Sequence, residues 1–516
     1  MTYASSYKDS IRNLTINVLE YKMTEKFLSA ISNQMNHSTT QNGAITNHSS
    51  LNNCVDFFAQ GGSIRSRTES EILSLFTRAF AQEKTIAVRL MYMFRDIRGG
   101  QGQRRPFRIQ LEWLARNYPD QTKNLLDLVA EYGRWDDLYS VVGTPCESYA
   151  FSLMKDQSRR DLEGITSNQP ISILGKWLKR INTSSKESVR LGNLTRKAFG
   201  LSSKDYRKLC SNLNRYLEVA ENRMSAKQWD TITYSKLPSQ CLLKHRKAFA
   251  RNDATRYEEF ITLAKDGKVH VNASTLYPYQ IVGKILNNWT SDIKPDEAEI
   301  LWKNLPKIDV DSNAIVVADV SGSMSGLPME VCISLAIYFA ERAKGPYRDK
   351  FITFSETPRI QDLKGNNIFE KVHNLSHAEW GMSTDLEAVF KLILQAAITN
   401  QLSPSDMVGT IYIISDMEFN AITRSQIKAS AVETFYETIR SSFEIAGYTI
   451  PKLVFWNVNA NSGNFPVVHN TPNTCMISGF SPNILKYITG EQDEILSPEG
   501  MMMEVVNSPR YESISF

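Results

Sequence analysis

Between residues 20 and 300, apolar side chains return every three or four positions in short blocks. Residues 71–82, 85–95, 106–117, 122–131 and 135–142 show this spacing, with Ser, Thr, Asp, Gly or Pro at the joints, which predicts helix after short helix. No strand-rich block interrupts them and no strict period repeats. The expectation is an irregular α-helical, HEAT-like repeat domain whose stacked helix pairs bury a core and leave a long concave surface. Beyond residue 313 the pattern changes. Continuous apolar runs at 314–318, 350–354, 410–415 and 452–458, with a short one at 475–477, alternate with amphipathic stretches at 330–343, after 384 and at 424–445. This alternation predicts a doubly wound, Rossmann-like parallel sheet, a layer that binds ligands at the carboxyl ends of its strands. The junction lies at 300–313, so a helical domain is expected over 1–305 and a sheet domain over 306–516.

Length agrees with this division, because 516 residues exceed a single core. Charge sharpens it. Residues 1–300 carry 43 basic and 31 acidic side chains and the remainder carry 16 and 24, so the halves have opposite sign. Residues 151–250 alone hold 20 basic against 8 acidic groups, an excess whose field suits phosphate backbones. No apolar run reaches 18 residues and the N-terminus lacks a basic, apolar leader pattern, so a soluble, cytoplasmic protein is expected. The six cysteines (54, 146, 210, 241, 332 and 475) include no Cys-x-x-Cys pair, which argues for reduced thiols and against a disulfide framework or a structural zinc. His373 and His377, four apart, lack further nearby ligands and read as a solvated or packed pair.

The end of the first apolar run carries the most specific pattern. Asp319-Val320-Ser321-Gly322-Ser323 gathers a carboxylate and two hydroxyls in one strand-to-helix turn, with Gly322 expected to let the backbone fold back, and such an oxygen set suits a hard divalent cation. Asp-x-Ser-x-Ser resembles the metal-ion-dependent adhesion site of von Willebrand factor A domains. That resemblance implies two further loops. Gly381-Met382-Ser383-Thr384-Asp385 offers the Thr384 hydroxyl, and the run ending in Ser415-Asp416 offers a second carboxylate. Asp319, Ser321, Ser323, Thr384 and Asp416 are therefore the expected ligands of Mg²⁺ or another divalent cation. In the family an acidic group from a protein partner fills the open position, so this domain is expected to bind and not to catalyse. The second loop departs from the family at Met382 or Ser383, where glycine is common.

The resemblance extends along most of the chain. A helical-repeat half followed by a von Willebrand A domain is the layout of Ro/TROVE proteins, and several stretches resemble the related domain of unknown function 2828 family. They are Asn42-Gly43-Ala44, the segment 96–104, Tyr132-Gly133-Arg134-Trp135-Asp136-Asp137-Leu138, Leu174-Gly175-Lys176-Trp177-Leu178, Asp205-Tyr206-Arg207-Lys208-Leu209 and Leu276-Tyr277-Pro278-Tyr279. The resemblance implies helical repeats closed into a ring, structured noncoding RNA on a basic outer face, and single-stranded 3′ ends in the hole.

Residue by residue, the candidate RNA surface is Lys176, Trp177, Lys179 and Arg180, followed by Arg196, Lys197, Lys204, Arg207 and Lys208, with Tyr206 interleaved. Cations neutralise phosphates while aromatic and guanidinium planes stack on unpaired bases. Lys244, Arg246 and Lys247 form a second cluster. Arg98, Arg104 and Arg105 flank a glycine-rich stretch that reads either as a phosphate cradle or as a helix-helix turn needing positive φ. It lacks the Gly-Lys-Ser/Thr ending of a nucleotide-binding loop. Asp136 and Asp137 read as first-turn helix residues and Tyr277-Pro278-Tyr279 as a packing corner. No nucleophile elbow, kinase set or zinc-protease motif is present, so no enzyme is expected. The competing functional class is a scaffold that binds acidic partner segments through the metal site, without nucleic acid. A weaker third is an ATP-using or hydrolytic component of a larger machine.

Overall fold

The computed structural model describes residues 35–286, 293–308, 313–354, 357–376, 385–421, 434–460, 463–488 and 496–516. Helices follow one another from Asn53–Gly61 to Pro295–Lys303 with no strand between them among the described residues. They are short because the sequence repeatedly stops and restarts them. Asn52 accepts from the amides of Cys54 and Val55, Thr68 and Glu71 cap each other at the start of Glu69–Gln82, and Ser185 and Ser202 cap Lys186–Phe199 and Ser203–Tyr216. Each cap satisfies amides that a first turn leaves open. The stretch expected as a helix at 135–142 is a 3-10 helix, Trp135–Val141. There Ser140 donates to the Asp137 carbonyl and Asp137 accepts from the Arg134 amide, local bonds that compete with α-helical ones.

Two short strands precede the helices, β1 (His37–Thr39) and β2 (Ile45–Asn47), paired antiparallel. The sheet comprises β3 (Ala314–Ala318), β4 (Lys350–Thr353), β5 (Ile360–Asp362), β6 (Thr410–Ser415), β7 (Lys452–Asn457) and β8 (Thr474–Ser478), in the order β5-β4-β3-β6-β7-β8. Only β5 runs antiparallel. It escapes sequence reading because it has three residues, of which Ile360 is exposed. Every residue of β3, β6 and β8 is buried, as a sheet covered on both faces requires. Chain order reverses between the neighbours β3 and β6, since β3 leads to β4 on one side and β6 to β7 and β8 on the other. Such a switch point opens a crevice at the carboxyl ends of the two strands.

The changeover from helix to strand falls between Lys303 and Ala314, but one hydrophobic core runs through both parts. Helix Asn53–Gly61 lies on β8. The Gly62 amide donates to Ser478 Oγ at 2.9 Å, Ser478 Oγ donates to the Phe58 carbonyl at 2.8 Å, and a Cβ at Gly62 would stand 2.3 Å from the Ser478 carbonyl oxygen. Near the C-terminus, Arg510 and Tyr511 both reach Asp96. Helices Pro278–Leu286 and Pro295–Lys303 pack on Leu327–Arg342 and Ile368–Ser376. Tyr279 joins the two ends of the array, accepting from Arg65 at 3.1 Å with its ring 5.6 Å from that of Phe480. The helical array therefore begins and ends on the α/β unit.

Candidate metal centre and nucleic-acid interface

The carboxyl ends of β3 and β6 place Asp319 and Asp416 side by side at the switch point. Register brings this about, because Ala318 pairs with Ile414, so Asp319 leaves β3 level with Ser415, the last residue of β6, and Asp416 follows directly. Asp319 is fully buried. Its Oδ2 accepts from Ser415 Oγ at 2.6 Å and its Oδ1 from the Ser321 amide at 2.9 Å. Ser321 Oγ and Ser323 Oγ are 3.1 Å apart, and Ser323 bonds to Asp416. Gly322 has an ordinary φ, and the left-handed residue of this turn is Gly326, at φ 84°. The predicted fold-back is thus displaced to the start of helix Leu327–Arg342. Thr384 lies outside the described residues, and Asp385 caps helix Leu386–Thr399.

Burial, then the opposing Asp319 charge, pushes the Asp416 carboxyl up to about 6. Asp319 is likewise raised by burial, against the hydrogen bonds from Ser415 and Ser321. No Lys, Arg or His pairs with either acid among the described residues. Two adjacent buried carboxylates without a counter-charge are costly. A divalent cation is the simplest remedy, and the oxygen-only donor set fits a hard ion. Glu418, also buried, adds a third carboxylate that sequence reading missed. It accepts from the Gln41 amide at 2.7 Å and from Asn464 Nδ2 at 2.9 Å. The segment preceding the helices therefore grips the loop that carries Asp416.

The predicted RNA residues separate into distinct environments. Arg246 is buried at 5% exposure, its guanidinium donating to the Leu243 carbonyl, so it leaves the candidate surface. Tyr206 is fully buried and donates to the Lys179 carbonyl at 2.8 Å, so it offers no stacking face. In the glycine-rich turn, the amides of Gly100, Gln101, Gly102 and Gln103 bond to carbonyls of residues 93–96. Gly102 takes φ 63° with Tyr277 packed against it. The amides of the glycine-rich stretch itself are therefore taken up by a helix-helix turn. Arg98 and Arg105 donate to the carbonyls of Glu131, Arg65 and Arg67. Lys176 pairs with Glu221 at 3.0 Å and Arg196 donates to the Leu201 carbonyl. Lys197, Lys204, Arg207, Lys208, Lys244 and Lys247 are exposed and Arg180 half-buried.

Arg104, Trp177 and Lys179 meet in a cluster that also contains Arg108 and Arg134. Asp136 receives Arg104 and Arg134 at 2.9 Å, Arg108 at 3.0 Å and Lys179 at 3.9 Å. Asp137 receives buried Arg95 at 2.7 Å and Arg108 at 2.6 Å. Five cations thus share two carboxylates, and all but Arg95 retain partial exposure. The excess is felt within the cluster. Burial, with neighbouring guanidiniums working against Asp136, pushes Lys179 and Arg104 down. Arg134 lies 3.8 Å from the centre of the Trp177 ring. Asp136 and Asp137 therefore do more than start a helix: they fix the directions of a fan of cations that outnumber them and, Arg95 apart, stay partly exposed. Arg134 was missed because it stands outside any basic run, and Arg108 because it lies inside the predicted helix beyond Arg104 and Arg105.

The chain matches the profile of the domain of unknown function 2828 over residues 40–158 and 178–307, and that of the domain of unknown function 7788 over 313–510. An uncharacterized protein of Acanthamoeba polyphaga mimivirus is 33% identical over 508 residues, covering 91% of this chain and 87% of that relative. The chain belongs to the domain of unknown function 2828 family. For this member of the family, the match includes the turn at 96–104 and the Asp136–Asp137 segment. Among solved structures, the crystal structure of the Deinococcus radiodurans Ro (RSR) protein is similar over 89% of this chain and 99% of that one, at 14% identity and a TM-score of 0.44.

Proposed function

We propose that this family member binds RNA through the helical half and engages an acidic protein segment through a divalent cation at the sheet switch point, without catalysing a reaction. The observation that carries the RNA reading is the fan of Arg104, Arg108, Arg134 and Lys179 beside Trp177. Guanidiniums held in place by buried aspartates lose little freedom on meeting a phosphate, and planar Arg matches phosphate oxygens in pairs. Exposed Lys197, Lys204 and Lys208 extend the positive field along the next helices. In this reading Asp319, Ser321, Ser323 and Asp416, with Thr384, hold Mg²⁺, which supplies an oxygen-seeking positive charge for a partner's carboxylate.

Filter binding of the full chain to an unpaired oligonucleotide RNA and to a DNA duplex, across a salt series, tests the RNA reading. Four phosphate contacts predict a loss of about 50-fold in RNA affinity between 50 and 200 mM salt. Reversing Arg104 and Lys179 to Glu, both partly exposed, is expected to remove most of that dependence. Salt-insensitive binding, or no RNA binding at low salt, overturns the proposal and leaves the partner-binding scaffold.

A further inference from the structure

Away from both sites, helix Ser239–Asn252 carries Cys241 and His245 one turn apart on one face, and helix Ala220–Ser225 brings Glu221 to them. The cysteine sulfur, an imidazole nitrogen and a carboxylate oxygen all lie within 4.8 Å of one another. The thiols of Cys54, Cys146 and Cys332 each donate to a backbone carbonyl. Among the described residues Cys241, only 6% exposed, has no such bond and the half-buried His245 ring, which lies edge-on to Phe249, has no hydrogen bond. A buried thiol and a half-buried imidazole thus converge on a carboxylate, which brings three groups able to bind a metal to one point.

We propose that Glu221, Cys241 and His245 form a three-ligand site for a zinc-class divalent ion, with the fourth position left to a water molecule. The donor set decides the class. A thiolate with an imidazole suits zinc or cobalt and disfavours magnesium and calcium, which prefer oxygen alone. Donor atoms around a tetrahedral ion stand roughly 3.4–3.7 Å apart, so closure takes small rotations of side chains already facing one another. On binding, the Cys241 S–H bond breaks, its proton passes to solvent and a sulfur–metal bond forms. With one carboxylate bound, one thiolate bound and a neutral imidazole, the dication is balanced. The Lys176 ammonium lies 3.0 and 3.3 Å from the two carboxylate oxygens of Glu221, so metal binding takes one oxygen from it and leaves it the other. The absence of a Cys-x-x-Cys pair hid this site in the sequence, because its third ligand comes from another helix.

The test is titration of the chelator-treated full chain with Co²⁺, read by absorption. One equivalent is expected to produce a near-ultraviolet thiolate-to-cobalt band together with the visible bands of a tetrahedral ion, and Zn²⁺ to abolish both. Cobalt bound by oxygen alone at Asp319 and Asp416 would give neither. Cys241→Ser removes the near-ultraviolet band, and His245→Gln, a change on a half-buried side chain, weakens binding at least about tenfold with unchanged melting in chelator. If Cys241→Ser fails to fold, the His245→Gln titration decides between the outcomes. No thiolate band at millimolar cobalt, an octahedral spectrum, a near-ultraviolet band that survives Cys241→Ser, or a cobalt affinity unchanged by His245→Gln overturns the proposal.

Discussion

Replacing Asp416 with Asn is expected to act in opposite directions with and without metal. In the folded chain the Asp416 carboxyl titrates at about 6 instead of 3.8, a displacement worth about 3 kcal/mol. The raised value means that the folded state holds this proton more tightly than the unfolded chain. The penalty for ionising it is absent below about 3.8, grows through the window between 3.8 and 6, and is complete above it. Near neutral pH in chelator, the wild-type protein bears the whole penalty and the neutral Asn side chain bears none. Against this gain stand the hydrogen bonds from Ser323 and the Glu418 amide, of which Asn keeps part at a cost of about 1 kcal/mol. The variant should therefore be about 1–2 kcal/mol more stable in chelator, a rise of roughly 1–2 °C in the melting of a 516-residue chain with one core. Wild-type melting in chelator should also rise as pH is lowered from 7 to 5. Millimolar Mg²⁺ should reverse the order, since saturation at a hundred times the dissociation constant adds about 2.7 kcal/mol to the wild type alone. Scanning calorimetry of both proteins in EDTA and in MgCl₂ decides the matter. An Asn variant less stable in EDTA, or one that gains as much from Mg²⁺ as the wild type, would refute the reasoning.

Two further perturbations follow from the packing. Asp137→Asn leaves the Arg95 guanidinium, 2% exposed, buried without its counter-charge, and is expected to cost about 3–5 kcal/mol in urea unfolding; a loss under about 1 kcal/mol would mean that Arg108 and Asp136 compensate. Gly62→Ala drives a methyl group to 2.3 Å from the Ser478 carbonyl, backbone that cannot rotate aside. It should cost at least about 2 kcal/mol and raise amide exchange in β8 and helix Asn53–Gly61 together, whereas a loss confined to one of them would separate the helical array from the sheet.

Much of the fold could be read from local pattern. Three- and four-residue apolar spacing with Thr68 or Ser202 at the joints specifies short capped helices, and runs such as 410–415 specify buried parallel strands, because both signals lie within one element. The Asp319 turn was legible for the same reason: three of its groups fall within five residues. β5 was not, since three residues with an exposed isoleucine carry no period. Composition misled at Arg246 and Tyr206, where a basic or aromatic run supplies one inward-facing side chain per turn.

What the sequence determined by itself is the inventory of elements and the chemistry gathered inside each turn. Tertiary structure decided which distant charges meet. Arg95, Arg104, Arg108, Arg134 and Lys179 converge on Asp136 and Asp137 from four separate segments, and Gln41 reaches Glu418 across more than 370 residues. Hydrophobic burial sets those approaches without regard to charge, and a carboxylate's partner is fixed by packing across elements, which no window along the chain contains.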